Sequence, residues 1–277
     1  MSIIRCLING EDKCEVPVSD RGLQYGHGVF ETILYKSGNL QLWNKHIQRL
    51  RLGCERLEID LPDTHTLYRE AKKICDGDDK LILKIIITHG DSNKGYLPDK
   101  DAKSRRILYT TAYLQRYQTE TPQGIDVALC QQKLAHNRKL AGIKHLNRLE
   151  QVLARTEWDG DQYDEGILTD LDDYLISGTM SNVFFVKDKT IITPDLSLCG
   201  VNGIVRELVL ELAPELGFET NIRKIKLNEI STFSEMFLTN SLIKICPIKS
   251  FNGRKFASPG RVTITLINRL INFLKER

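Results

Sequence analysis

The chain has 277 residues, 27% of them charged and 41% apolar, a globular balance with enough apolar material for one large or two modest domains. A formal net charge of only +3, with Lys and Arg interspersed among Asp and Glu, excludes the basic stripe of a nucleic-acid binder. No apolar run approaches the roughly 18 residues a membrane helix needs, and residues 1–9 are too short and too polar for a secretory signal.

The seven cysteines are odd in number and none has C-x-x-C spacing. They predict buried, reduced thiols in a cytoplasmic protein rather than disulfides or a zinc site, and no metal is expected. In chain order, Ile3 to Ile8 reads as a strand entering an Asn9-Gly10 turn. Val29 to Tyr35 and Leu40 to Trp43 read as strands around a hairpin turn at Ser37-Gly38. Ile47, Leu50, Cys54 and Leu57 recur at spacings of three and four and predict a helix over about 44–57. Asp63-Thr64 predicts the cap of a second helix, with Leu67, Ala71 and Ile74 on one face. Strands are expected over 81–87 and 107–113, with a polar loop between them. Residues 117–124 form a polar stretch with Pro122 and Gly124 and are the expected linker. It separates a smaller α+β domain, 1–116, from a larger one, 125–277. In the second domain strands are predicted over 125–131, 166–169, 182–186 and 236–238, and helices over about 145–158, 203–212 and 262–275. Asn252-Gly253 marks a late hairpin. The fold class expected from these elements is α+β in two domains.

Periodicity goes no further, and a single lysine is ordinarily a solvated surface charge. Lys144 differs because it directly follows Leu140-Ala141-Gly142-Ile143. Partial desolvation there would lower its pKa and free the amine as a nucleophile. The stretch from Leu140 to Gln151, LAGIKHLNRLEQ, closely resembles the cofactor-lysine segment of the lyase branch of the fold-type IV, class IV aminotransferase-like family of pyridoxal-phosphate enzymes. Residues 18–22 and 25–32 resemble the family's N-terminal signature, 46–50 the helix carrying its phosphate-binding arginine, and 201–206 its phosphate-cup segment. Each motif alone is weak; four in order are specific.

The resemblance implies a D-amino acid aminotransferase-like fold, pyridoxal 5'-phosphate as cofactor, and a homodimer. It assigns Lys144, in the larger domain, to hold the cofactor covalently and then to move a proton at the reacting carbon. Arg49 is the implied bidentate partner of the cofactor phosphate. Gly203, Ile204 and Val205 would add the N–H groups of a helix start, and Ser241 a hydroxyl. Val205 replaces a common threonine, so only its N–H can contribute. Asn182 lies in the strand that follows. Five residues before it stands Ser177, where the family usually has a glutamate facing the cofactor's ring nitrogen. A serine can only hydrogen-bond there, which favours elimination over transamination. For the substrate, His89 and Lys94 stand where arginines are common, and Tyr25 and Phe30 are as readily core aromatics as cleft walls. His27 replaces a more usual aspartate.

Three functions stay open at this point. The first is a lyase step toward folate that expels enolpyruvate from an amino-substituted ring as the ring becomes aromatic. The second is a class IV aminotransferase acting on D-amino or branched-chain amino acids. The third is a cofactor-binding protein without turnover.

Overall fold

The alternation of the first hundred residues becomes a six-stranded antiparallel sheet. Its members are β1 (Ile3–Ile8), β2 (Glu11–Asp12), β3 (Gly28–Lys36), β4 (Asn39–Leu40), β5 (Lys80–Thr88) and β6 (Arg105–Ala112), in the order β2-β1-β6-β5-β3-β4. The computed structural model describes residues 2–92, 94–114, 123–159 and 162–276. It divides into two units, Met1–Gln115 with Ile143–Asn147, and Arg116–Gly142 with Arg148–Arg277. The expected linker lies outside the described residues except for Gln123 and Gly124.

In the first unit the Asn9-Gly10 and Ser37-Gly38 turns both hold two successive residues at positive φ, the backbone a tight antiparallel turn demands. Helix α2 (Trp43–Arg56) buries Ile47, Leu50 and Cys54 as the spacing predicts. Helix α3 (Thr64–Cys75) buries Leu67, Ala71 and Ile74, and the Asp63 carboxylate caps it by accepting the Thr66 N–H at 2.7 Å. The strand expected over 40–43 stops at Leu40, because Leu42 turns the chain at φ 58 and Trp43 already belongs to α2. A short helix, α1 (Arg21–Tyr25), carries no apolar period and was not expected.

In the second unit a sheet closes on itself. Its strands are β7 (Ile125–Leu134), β8 (Glu165–Asp170), β9 (Leu175–Gly178), β10 (Asn182–Lys187), β11 (Thr190–Pro194), β12 (Glu219–Arg223), β13 (Glu235–Asn240), β14 (Lys244–Phe251) and β15 (Arg254–Lys255). Strand β9 pairs with both β8 and β10, so β10-β13-β14-β7-β8-β9 form a barrel from which β11 and β12 extend. Its apolar filling includes Val183, Phe185, Leu238 and Ile248, all fully buried. The helices are α4 (Leu149–Arg155), α5 (Ile204–Glu215) and α6 (Arg261–Lys275). The buried Glu235 carboxylate caps α6 by accepting the Val262 N–H at 3.0 Å and the Thr263 N–H at 2.9 Å.

The helix expected from His145 starts only at Leu149. Residues 143–147 instead lie along β3, where His145 pairs with Val29 and the Leu146 N–H donates to the Gly28 carbonyl at 2.9 Å. The same contacts group Lys144 with the first unit rather than with the second, where the sequence reading placed it.

All seven cysteines are free, and all but Cys14 are buried. Burial pushes the thiols of Cys6, Cys54, Cys75, Cys130, Cys199 and Cys246 up to about 12. No helix among the described residues is long and apolar enough to cross a membrane.

Candidate active site

The first unit holds Lys144 by its backbone. The Phe30 N–H donates to the Lys144 carbonyl at 2.9 Å. Close approach of the segment to β3 requires glycine at 28, since a Cβ there would lie 2.6 Å from Leu146 Cδ1 and 2.7 Å from the Ile87 carbonyl. The half-buried Lys144 Nζ stands 4.2 Å from the Phe30 ring centroid, a cation–π distance. The sequence reading did not single out Lys84, whose Nζ lies 4.9 Å from the same ring and 5.7 Å from that of Tyr109. Its signal was one charge inside the apolar run Leu81 to Ile87. Two half-buried ammonium groups sharing one ring make this face of the sheet suited to an anion.

Arg49 points elsewhere than a free phosphate fork would. Its Nε and Nη2 donate to the Glu31 carboxylate at 2.8 and 2.6 Å, and His46 Nδ1 meets the same carboxylate at 2.6 Å. Burial alone would raise the fully buried Glu31 carboxyl. Arg49 and then His46 override it and hold the group at about 2. The bidentate edge of Arg49 is thus spent on Glu31.

His89 is buried and stacks on His27, with ring centroids 4.6 Å apart. Burial, then His27 and Arg21, push its imidazole below the ordinary range. It is therefore neutral near pH 7, which argues against the expected role as a cation. Lys94 is exposed and paired with Asp99 at 3.2 Å. Tyr25 is 37% exposed, and its ring centroid lies 5.4 Å from that of Tyr96. His27 can stand in for the more usual aspartate. Its Nδ1 accepts from Arg21 Nε at 3.1 Å, as an aspartate could, and its Nε2 meets the Leu57 carbonyl at 2.8 Å. Arg21 in turn donates to the carbonyls of Gly95 and Tyr96, seating the loop that carries Lys94.

The second unit brings Ser177 and Asn182 together. Register places Leu168, Ser177, Asn182, Thr239 and Ile245 in one row across β8, β9, β10, β13 and β14. Every side chain in that row is uncharged. The buried acid of β8, Glu165, is fully engaged. It accepts from the N–H groups of Gly166, Thr179 and Met180 and from the hydroxyls of Thr179 and Ser181. Thr239 Oγ1 is buried and has no partner among the described residues. Asn182 Nδ2 donates to the Val201 carbonyl at 2.8 Å, and its Oδ1 sits where a Cβ on Gly203 would come within 2.1 Å. That brace leads straight into α5, whose start at Gly203 has no side-chain cap. The N–H groups of Ile204 and Val205 are left for an anion, while both side chains are buried. Ser241 lies in the turn between β13 and β14.

The half-buried lysine of the first unit suits a covalent hold on a pyridine cofactor, and in the second unit the uncapped helix start opened by Gly203 and the buried Thr239 hydroxyl opposite Asn182 suit its phosphate and ring. The class they point to is the pyridoxal-phosphate enzymes of fold type IV. A family model, amino-transferase class IV, matches residues 28–251. The chain is 32% identical over 246 residues to an aminodeoxychorismate lyase of Vibrio harveyi, covering 89% of this chain and 91% of that protein. It is 29% identical over 248 residues to a putative branched-chain-amino-acid aminotransferase of Methanocaldococcus jannaschii, covering 88% and 85%. The crystal structure of 4-amino-4-deoxychorismate lyase from Pseudomonas aeruginosa superposes with a TM-score of 0.90 at 37% identity, covering 96% of this chain and 98% of that one. The chain belongs to the class IV aminotransferase family of pyridoxal-phosphate enzymes.

Proposed function

We propose that this chain is a lyase that converts 4-amino-4-deoxychorismate to 4-aminobenzoate and pyruvate, a step toward folate. The likeness to the Pseudomonas aeruginosa lyase over nearly the whole of both chains carries the reading. Lys144 holds the cofactor covalently and moves a proton at the amine-bearing ring carbon. When bound, pyridoxal phosphate supplies an electron sink to that carbon. Arg49, the N–H groups of Gly203, Ile204 and Val205, and the Ser241 hydroxyl bind its phosphate; Asn182 braces the cup. Lys84, with Phe30 and Tyr109 beside it, supplies the cation for a substrate carboxylate; Lys94, Tyr25 and His89 belong to the loop region at its rim. As a homodimer, the state the resemblance implies, the chain would cover the exposed Leu149, Val152 and Leu153 of α4. The free thiols support a cytoplasmic setting.

The test is 4-aminobenzoate formation from aminodeoxychorismate made in situ, with the holoprotein. No product from protein that demonstrably holds its cofactor would sink the lyase reading and leave the aminotransferase one.

Ser177 sets the choice between the two. Its row would offer the ring nitrogen of the bound cofactor a hydroxyl and no carboxylate, which would leave the ring a weaker electron sink. Transamination depends wholly on that sink, whereas elimination is also driven by aromatisation of the product. Ser177→Glu should raise amine transfer from D-alanine or L-leucine by about tenfold or more, the equivalent of one pKa unit of charge stabilisation. Single-turnover conversion of the visible absorbance to that of the amine form reads it directly. An unchanged rate in a folded variant rejects this role for Ser177.

A further inference from the structure

The turn between β13 and β14 holds a lysine in an adverse setting. Asn240 Oδ1 accepts the N–H groups of Leu242 and Ile243, each at 2.9 Å, and Asn240 pairs with Lys244 to close the turn. Lys244 has φ 60, in the left-handed region that suits glycine or asparagine and penalises other side chains. Its side chain is half-buried, and Nζ donates to the Ser241 carbonyl at 2.6 Å. No carboxylate lies within ion-pair distance of that ammonium among the described residues. Burial alone brings it down to about 7. Both the backbone and the charge are therefore held at a cost, and a glycine would remove both costs. A half-buried cation with only a neutral carbonyl for company is compensated when an anion arrives.

We propose that the Lys244 ammonium, seated on the Ser241 carbonyl, is a binding group for an oxyanion at this turn. The oxyanion is the phosphate of the cofactor or a carboxylate of the substrate; both offer the same charged acceptor to a lysine point charge. The inference rests on the cofactor reading above, in which Ser241 faces the phosphate.

Lys244→Gly separates the two costs from the benefit. The variant should unfold at the same temperature as the wild type or higher, since the left-handed strain is gone, yet bind one oxyanion about tenfold more weakly. Titrations of the apoprotein with pyridoxal phosphate and with pyridoxal distinguish the sources. Weaker binding of the phosphorylated form alone assigns the phosphate. Unchanged cofactor binding with a tenfold higher KM assigns the substrate carboxylate. Lys244→Arg, which keeps the charge, should stay within about threefold of the wild type, and Lys244→Asn replaces the glycine variant if that folds poorly. Unchanged affinity and KM in the neutral variant, or equal losses for pyridoxal and pyridoxal phosphate, would overturn the proposal. If the wild type takes up no pyridoxal phosphate, the cofactor reading fails instead. Inorganic phosphate then decides for Lys244: a phosphate-dependent rise in Tm must be lost in Lys244→Gly.

Discussion

Lys144→Ala should abolish 4-aminobenzoate formation, by about a thousandfold or more, while leaving the fold intact. The magnitude follows from two losses at once. Proton transfer by a positioned side chain contributes roughly 10²–10⁴-fold, and the covalent hold on the cofactor disappears with it. The fold survives because the segment is held by main-chain contacts, the Phe30 N–H to the Lys144 carbonyl and the Leu146 N–H to the Gly28 carbonyl. Visible absorbance of the purified protein and its Tm are the paired measurements. Residual turnover near the wild-type rate would remove Lys144 from the chemistry, and a collapsed Tm would instead show that it holds the segment together.

Glu31→Gln should cost about 3–5 kcal/mol of stability, the price of breaking a buried ion pair, and lower Tm on the order of 10 °C. An amide cannot neutralise the Arg49 guanidinium, whose side chain is only 11% exposed. The wild type carries the matching acid signature. The Glu31 carboxyl is held down at about 2, against an ordinary value near 4.5, despite the opposing effect of burial. A depressed carboxylate contributes stability that is fully present above the ordinary value and is lost as pH falls through about 2. Wild-type denaturation midpoints should fall across that window, and the Gln variant should lack this part of the slope. A variant as stable as the wild type at pH 7, with the same acid slope, would show that Arg49 finds its compensation elsewhere.

Helix α2, helix α3 and β1 could be read from the sequence because one apolar face or one turn dipeptide fixed each of them locally. Strands β9, β11 and β12 could not, and of β14 only its end was marked, by the Asn252-Gly253 turn into β15. Leu175 to Gly178 and Thr190 to Pro194 are short, and β14 is interrupted by Lys249 and Ser250, so what makes them strands is pairing with segments distant in the chain. The early start given to α4 failed for a related reason. Nothing in His145 to Asn147 breaks a helix locally, but tertiary pairing with β3 takes these residues instead.

The candidate site divides the same way. Lys144, Arg49 and the segment from Gly203 to Val205 stood out by resemblance of contiguous motifs. Lys84, Glu165 and Lys244 did not, because their meaning lies in what surrounds them: a shared aromatic ring, five donors on one carboxylate, a left-handed backbone. Arg49 shows the converse, a residue marked by one motif whose bidentate edge is occupied by Glu31, a residue of the 25–32 motif to which the sequence reading assigned no role.

Six buried thiols, all held protonated well above the ordinary thiol range, are poor nucleophiles, since the reactive form is the thiolate. Cys14 alone meets solvent, just beyond the edge strand β2. The native chain therefore comes with a single addressable point on its surface. A fluorophore or an affinity tag can be placed there by ordinary maleimide chemistry, without removing any other cysteine and without touching the residues assigned to the cofactor.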